Sequence, residues 1–474
     1  MGPWPAPGQS RTILGSSNHP TVTEPMSMKT DTYLRRSRIL PFVALATLVG
    51  CGGGEPVQES EADLVARARD IHERVITLDT HNDISAANFT AEQNYTMDLG
   101  NQVNLPKMEA GGLDVSFMIV YVGQGELTDA GFNDAYAQAV EKFDAIHRLT
   151  EEIAPDQIGL ALTSDDVRRL DAEGKKIAMI GIENGYPVGM DAGRVQEFAE
   201  RGGRYMSLAH NGHSQLSDSN TGERDDVWLH NGLSDLGREV VAEMNKWGIM
   251  IDLSHPSKVA NLETMQLSRA PVIASHSGAR AVGDVSRNMD DELLMALKEN
   301  GGVIQTVAFR SYLRPRKNTA HNEASQAIIA EVAEEMGFEM PSGGRGAMFR
   351  AMSAMSPAEQ EMFMAEYQSV QDAATARVEA EVDPVTPPVG VSDFVDHVDY
   401  LVNLIGLEHV GISSDFDGGG GVTGWNDASE TFNVTLELVR RGYTEEQIGM
   451  IWSGNLLRVL DEVQAVAAEM QAAG

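Results

Sequence analysis

VITLDTHND, residues 75–83, is an apolar run that ends in a histidine and a carboxylate two positions apart, His81 and Asp83. On a β-strand residues i and i+2 face the same side, so both side chains converge on one point if the strand persists through them. Imidazole nitrogen and carboxylate oxygen are both ligands for zinc-like divalent ions. Alone the pair carries little weight, because 12 His and 70 acidic residues in a chain of 474 give about two His-x-acid pairs by chance. Its meaning depends on how the other apolar runs end.

Seven further β-rich runs follow: LDVSFMIVYV (113–122), KIAMIGIEN (176–184), RYMSLAH (204–210), GIMIDLSH (248–255), APVIASH (270–276), GGVIQTVAF (301–309) and HVGISSDFD (409–417). Helical apolar periods lie between them at 133–153, 164–173, 195–202, 236–247 and 290–300, the last behind the N-terminal acids Asp290 and Asp291. Strands alternating with helices predict βα units around a parallel sheet, and eight of them predict a (β/α)8 TIM barrel. A doubly wound sheet is the alternative. One connection is too long for a plain barrel. Residues 310–390 read as a helical insertion before the last strand, with pieces at 322–336 and 356–381, a Pro-rich break at DPVTPPVG and another helix after Ser392. Its methionines, among them Met340, Met348, Met352, Met355, Met362 and Met364, suit either an adaptable surface over a site or a peripheral hairpin or dimer contact.

In such a barrel the site lies at the C-terminal ends of the strands, so ligand-type residues should stand where the apolar runs stop. The first run ends in His81 and Asp83, the third in Glu183, the fourth in His210, the fifth in His255, the sixth in His276 and the eighth in Asp415 and Asp417. A single histidine after a strand is ordinarily a hydrogen-bonded structural residue; repetition at six strand ends points to a site. His81 and Asp83 would grip one ion, His255 and His276 a second, and Glu183 would bridge them. Two ions about 3.5–4 Å apart share a hydroxide that is nucleophilic at neutral pH, which makes hydrolysis the natural chemistry.

The segments DTHND, GIEN, MSLAHN, IDLSH, ASHSGAR followed by SRN, and GISSDFDG, in this order, resemble those of the membrane dipeptidase family (renal dipeptidase-like, metallopeptidase family M19). The resemblance runs from about Ile76 to NLLRVL near the C-terminus, leaving out the insertion and roughly the first 60 residues. It implies two Zn2+ ions, one bound by His81 and Asp83 and the other by His255 and His276, with Glu183 bridging. It also implies that His210 contacts the substrate carbonyl or its oxyanion, that Arg287 takes the terminal carboxylate, and that Asp415 meets the free amine and moves protons. The implied reaction is hydrolysis of dipeptides by a metal-bridging hydroxide, and a homodimer is common in the family. A fork of guanidinium donors matches a carboxylate and a carboxylate matches an ammonium; with both substrate termini held, only a very short peptide fits. Asn184 stands where the family usually has glycine, which predicts an altered pocket wall there. His213 is expected to be structural or at the rim and Asp417 to lie behind the ligands, while His230 and His397 have no partner visible in the sequence.

Cys51 is the only cysteine, which excludes an intrachain disulfide and a Cys-based metal cluster. Before it, Lys29, Arg35, Arg36 and Arg38 precede a short apolar stretch at 39–49 that ends in LVGC. This resembles a bacterial lipoprotein signal, so residues 1–50 read as leader and signal peptide, 51–63 as a flexible tether and 64–474 as a single catalytic domain. Membrane contact would then come only through a lipid on Cys51, and glycine after that cysteine favours the outer membrane facing the periplasm. The formal charge of -34 argues against a nucleic-acid partner. Two other functions compete: another binuclear-metal amidohydrolase acting on a lactone, cyclic amide or phosphoester, and a non-catalytic peptide-binding lipoprotein. The first commonly bridges its metals with a carboxylated lysine, and no lysine ends a strand here; the second would lack a ligand, and none is missing.

Overall fold

The computed structural model describes residues 59–341 and 344–473, so the lipoprotein signal and Cys51 lie outside the described residues. The described chain from Glu59 onward forms one compact unit. Its strands are β1 (Leu78–Asp83), β2 (Val115–Tyr121), β3 (Ile158–Leu160), β4 (Lys176–Glu183), β5 (Gly203–Ser207), β6 (Met250–Asp252), β7 (Ile273–Ser277), β8 (Val303–Val307) and β9 (Val410–Ser413). All neighbouring pairs are parallel, in the order β1-β2-β4-β5-β6-β7-β8-β9. The eight strands on this path are the eight apolar runs of the sequence. The ninth, β3, pairs only with β4, outside the ring; at three residues it is too short to give a periodic signal.

Backbone and side-chain hydrogen bonds together complete the ring where the ladder stops. Between β9 and β1 the Asp83 N–H donates to Phe416 O (2.9 Å), the Ser414 N–H to Asp79 Oδ1 (2.9 Å), and Asn82 Nδ2 to Ser414 Oγ (2.9 Å). Asp79 and Asn82 also mark the place where the β1–β2 register shifts.

Alternation along the strands separates two cores. Val115, Phe117, Ile119, Ile177, Met179, Tyr205, Met250, Ile273 and Val303 fill the barrel, and Leu456, Leu457, Val459, Leu460 and Val463 of the last helix, Asn455–Ala473, join them. Met118, Val120, Ala178, Ile180, Ile182, Met206, Ile251 and Ile304 face the surrounding helices. Glu183 shares the parity of Ile177 and Met179, so the strand that buries those side chains inside the barrel delivers the carboxylate to its mouth.

The first helix, Glu61–His72, is capped by Ser60 and begins inside the stretch read as tether, three residues before Leu64. Between β8 and β9 the helices Pro315–Met336 and Pro357–Arg377 form a hairpin with its own apolar cluster of Ile328, Val332, Ala333, Val370, Ala374 and Val382. The helix Val391–Ile405 then returns to the barrel.

Asn455, buried at the start of the last helix, donates from Nδ2 to Leu407 O (2.7 Å) and Val410 O (2.8 Å), tying that helix to the entry of β9. Asn455→Ala leaves both carbonyls short of a donor and is expected to cost about 1–3 kcal/mol, read as a lower midpoint in urea unfolding.

Candidate metal centre

Glu183 is 3% exposed and sits among four imidazoles. Its Oε1 lies 2.9 Å from His255 Nε2, 3.3 Å from His276 Nε2 and 3.7 Å from His210 Nε2, and its Oε2 lies 3.6 Å from His81 Nε2. The four rings are themselves crowded, with centroids 3.9 Å apart for His81 and His276 and 4.1 Å apart for His210 and His255. Asp83 and Asp415 complete the cluster around His81. The structure thus brings together His81, Asp83, Glu183, His210, His255, His276 and Asp415, with Arg287 against His255. Three overlapping groups can each surround a cation: His81, Glu183 and His276; Glu183, His210 and His255; and His81, Asp83 and Asp415.

Neighbouring residues set the tautomers. Tyr205 donates its hydroxyl proton to Thr80 O (3.0 Å), so it accepts from His81 Nδ1 (2.8 Å) and leaves the His81 Nε2 lone pair facing the cluster. Ser275 Oγ donates to Asp252 Oδ2 (2.7 Å) and accepts from His276 Nδ1 (2.8 Å), with the same result for His276. Such outward partners orient metal-binding histidines. The buried His81 Nε2 and Asp83 Oδ1 have no hydrogen-bond partner among the described residues, and His255 and His276 meet nitrogen to nitrogen at 3.1 Å. Buried acceptor atoms left without a donor are costly unless a cation stands beside them. The residues therefore fit divalent cations, with nitrogen and oxygen donors of the zinc type.

The electrostatics agree. Burial opposes ionisation of Glu183, yet the histidines, His81 foremost, hold its carboxyl well below the usual range. Burial lowers His81, but Glu183, Asp415 and Asp83 outweigh it and carry the imidazole up to about 9. Burial, helped by Arg287 and His210 for His255 and by His81 and Arg287 for His276, pushes both well below the ordinary histidine value. Burial lowers His210 as well. Asp415 is pushed up to about 8, chiefly by burial and further by Asp83 and Glu183.

Backbone geometry aims several of these groups. Asp415 holds φ +59° and Asp417 φ +61°, a region open to few residues besides Gly, Asn and Asp. Asp417 accepts from Gln102 N (2.8 Å) and Val103 N (3.3 Å), so it pins the loop after β9 and does not join the ligand cluster. A Cβ on Gly418 would fall 2.3 Å from Asp415 Oδ1 and 2.4 Å from Asp83 Oδ2, so only glycine lets that loop approach. Asn184 adopts φ +76°, the conformation a glycine would supply, and its Nδ2 donates to Val122 O (3.0 Å); the substitution keeps the turn and adds an anchor. His213 contacts Asp218 (3.1 Å) in the loop after β5 and His230 reaches Ser214 O (2.9 Å). His397 accepts from Ala279 N (3.1 Å) and donates to Leu313 O (2.9 Å), a structural role.

A cavity of about 420 Å³ opens over the cluster, lined also by Tyr121, Lys142, Asn211, Phe309 and Tyr312. Among the described residues none of its lining comes from 314–390, so the hairpin methionines do not form its wall. Arg287 is 7% exposed; its guanidinium donates to Ser254 O, His276 O (3.3 Å) and His255 Nε2 (3.0 Å), and its Nε is unpartnered. Tyr121, Lys142, Tyr205, Asp252 and Ser275 were not singled out by the sequence. Tyr121 at the end of its run, and Asp252 and Ser275 inside apolar runs, carry a signal in retrospect; Lys142, on the helix Asp129–Arg148, carries none.

The sequence matches the family described as Membrane dipeptidase (Peptidase family M19) over residues 65–474. It is 30% identical over 394 residues to Dipeptidase aclJ of Aspergillus oryzae, covering 82% of this chain and 75% of that one. Among solved structures, the probable dipeptidase PvdM from Pseudomonas aeruginosa is 31% identical with a TM-score of 0.69, over 86% of this chain and all (100%) of that one. A metallo peptidase from Rhodobacter sphaeroides, liganded with a phosphinate mimic of the dipeptide L-Ala-D-Ala, shares the fold at 21% identity and TM-score 0.58, over 82% and 99% of the two chains.

In metal-stripped protein, folded Asp415 at about 8 and His81 at about 9 hold protons that the unfolded chain has released by about pH 4 and about pH 6.5. Stability is therefore expected to fall as pH rises from about 6.5 to about 9, seen as a declining Tm in EDTA that zinc flattens and Asp415→Asn reduces. Tyr205→Phe removes the acceptor for His81 Nδ1 and is expected to weaken zinc binding about 10- to 100-fold in a chelator competition titration.

Proposed function

Because the chain belongs to the membrane dipeptidase family, peptidase family M19, we propose that it is a zinc-dependent dipeptidase whose binuclear site is the cage around Glu183. The observation that carries this reading is one buried carboxylate with imidazoles at both of its oxygens, Oε2 toward His81 and Oε1 toward His255 and His276. In this reading His81 and Asp83 hold one ion, His255 and His276 the other, and Glu183 both. The ions supply Lewis acidity and a water acidified for attack at neutral pH.

The chain's own residues do the rest. His210, kept neutral by burial, has Nε2 beside the cage and stabilises charge that develops on the substrate carbonyl oxygen. Arg287 offers a buried fork to the terminal carboxylate, and the ring of Tyr312, 5.4 Å from the guanidinium carbon, walls that end. Asp415 accepts from the substrate ammonium. Buried beside His81 and Asp83, it can also carry a proton to the leaving amine. Capture of both termini limits the substrate to two residues. A lipid on Cys51 would hold the enzyme at the cell envelope, in the outer membrane facing the periplasm, as a monomer or a homodimer.

A panel of L,L and L,D dipeptides, assayed with and without chelator, tests the reading. Hydrolysis is expected to vanish with chelator, to return with zinc, and to fall at least about 1,000-fold in Glu183→Gln. Near-normal turnover by Glu183→Gln, or turnover of lactones or phosphoesters in place of dipeptides, would refute it.

A further inference from the structure

Among the described residues Lys142 is the one lysine lining the cavity, and the residues around it leave it without an ion pair. It projects from the helix Asp129–Arg148 beside β2, and its Nζ stands 5.5 Å from the centroid of the Tyr121 ring. Among the described residues it forms no ion pair and no side-chain hydrogen bond. Other partly buried lysines do pair with carboxylates: Lys107 with Asp427, Lys176 with Asp114, Lys258 with Asp290 and Lys317 with Asp393. Lys142 is buried deeply enough for its ammonium to be disfavoured, an effect that Asp83 and Glu183 only partly offset. A partly desolvated cation that meets an aromatic face but no carboxylate, and that faces a cavity, suits recognition of an anion.

Position narrows which anion. On the dipeptidase reading, on which this inference rests, the cations occupy Asp83 and Glu183, Arg287 holds the substrate's terminal carboxylate and Asp415 its amine. Arg287 lies on the β6–β7 side, against Ser254, His255 and His276. Lys142 lines the cavity close to Asp83 and Tyr121, and Asp83 is also the neighbour of Asp415. The group nearest Lys142 in a bound dipeptide is therefore the side chain of the amino-terminal residue. We propose that Lys142 is a specificity-determining residue that selects dipeptides with a carboxylate side chain, aspartyl or glutamyl, at the amino-terminal position. Tyr121, whose ring centroid lies 5.5 Å from the lysine nitrogen, walls the same subsite.

The zinc-loaded enzyme is assayed with Glu-Ala, Gln-Ala, Ala-Glu and Ala-Gln, pairs that differ only in charge. The expected result is a kcat/KM ratio of Glu-Ala to Gln-Ala of about tenfold or more, collapsing toward one in Lys142→Met and largely kept in Lys142→Arg, with the Ala-Glu to Ala-Gln ratio unmoved. Equal turnover of Glu-Ala and Gln-Ala by the unaltered enzyme would overturn the inference while leaving the dipeptidase reading intact. A parallel fall of both substrates in Lys142→Met would overturn it too, because the lysine would then serve the cage and not the side chain. Cleavage of other L,L or L,D dipeptides but none of these four would overturn the inference alone, and cleavage of no dipeptide at all would end both.

Discussion

A carboxylate deep in a barrel mouth, with three imidazole nitrogens around one oxygen and a fourth beside the other, is the constraint on which the rest of the structure depends. Glu183 alone in such a place would be a buried charge with a large desolvation cost. Histidine protons can answer part of it, and His81 is drawn toward the charged form for that reason. They cannot answer all of it, since burial drives His255 and His276 the other way. Divalent cations would resolve the conflict, satisfying the carboxylate and the inward lone pairs together.

The surroundings read as apparatus for holding that cluster. Strand parity turns Glu183 inward with Ile177 and Met179, while Tyr205 and the Ser275–Asp252 pair fix which nitrogen of His81 and His276 faces the centre. The join between β9 and β1 is made by Asp79, Asn82 and Ser414, directly beneath His81 and Asp83, so closing the sheet and placing the first ligands are one event. Left-handed turns at Asn184, Asp415 and Asp417 then re-aim the chain as it leaves the strands, strain of a kind that collects at functional sites.

Much of this was legible in the sequence because apolar runs are local and their ends are marked. All eight ring strands, and the His, Asp and Glu residues that close six of them, could be read from alternation and punctuation alone. The grouping of ligands could not: proximity across the barrel, such as the approach of the His81 ring to that of His276, depends on register and strand tilt. Tyr205 and Asp252 were hidden because each sits within a strand run, where the pattern registers only burial. Lys142 was hidden for a different reason. A lysine on an amphipathic helix looks like solvent-facing surface until the helix is placed beside the barrel mouth. The strand β3 and the early start of the first helix, at Glu61, fell below what periodicity resolves.

Occupancy of the cage is read most directly by anomalous diffraction at the zinc edge from crystals of the zinc-loaded protein. Two peaks about 3.5–4 Å apart, one beside His81 and Asp83, the other beside His255 and His276, with one Glu183 oxygen toward each, are the expected result. A single peak, or none within reach of Glu183 while its carboxylate is met only by protonated histidines, would contradict it.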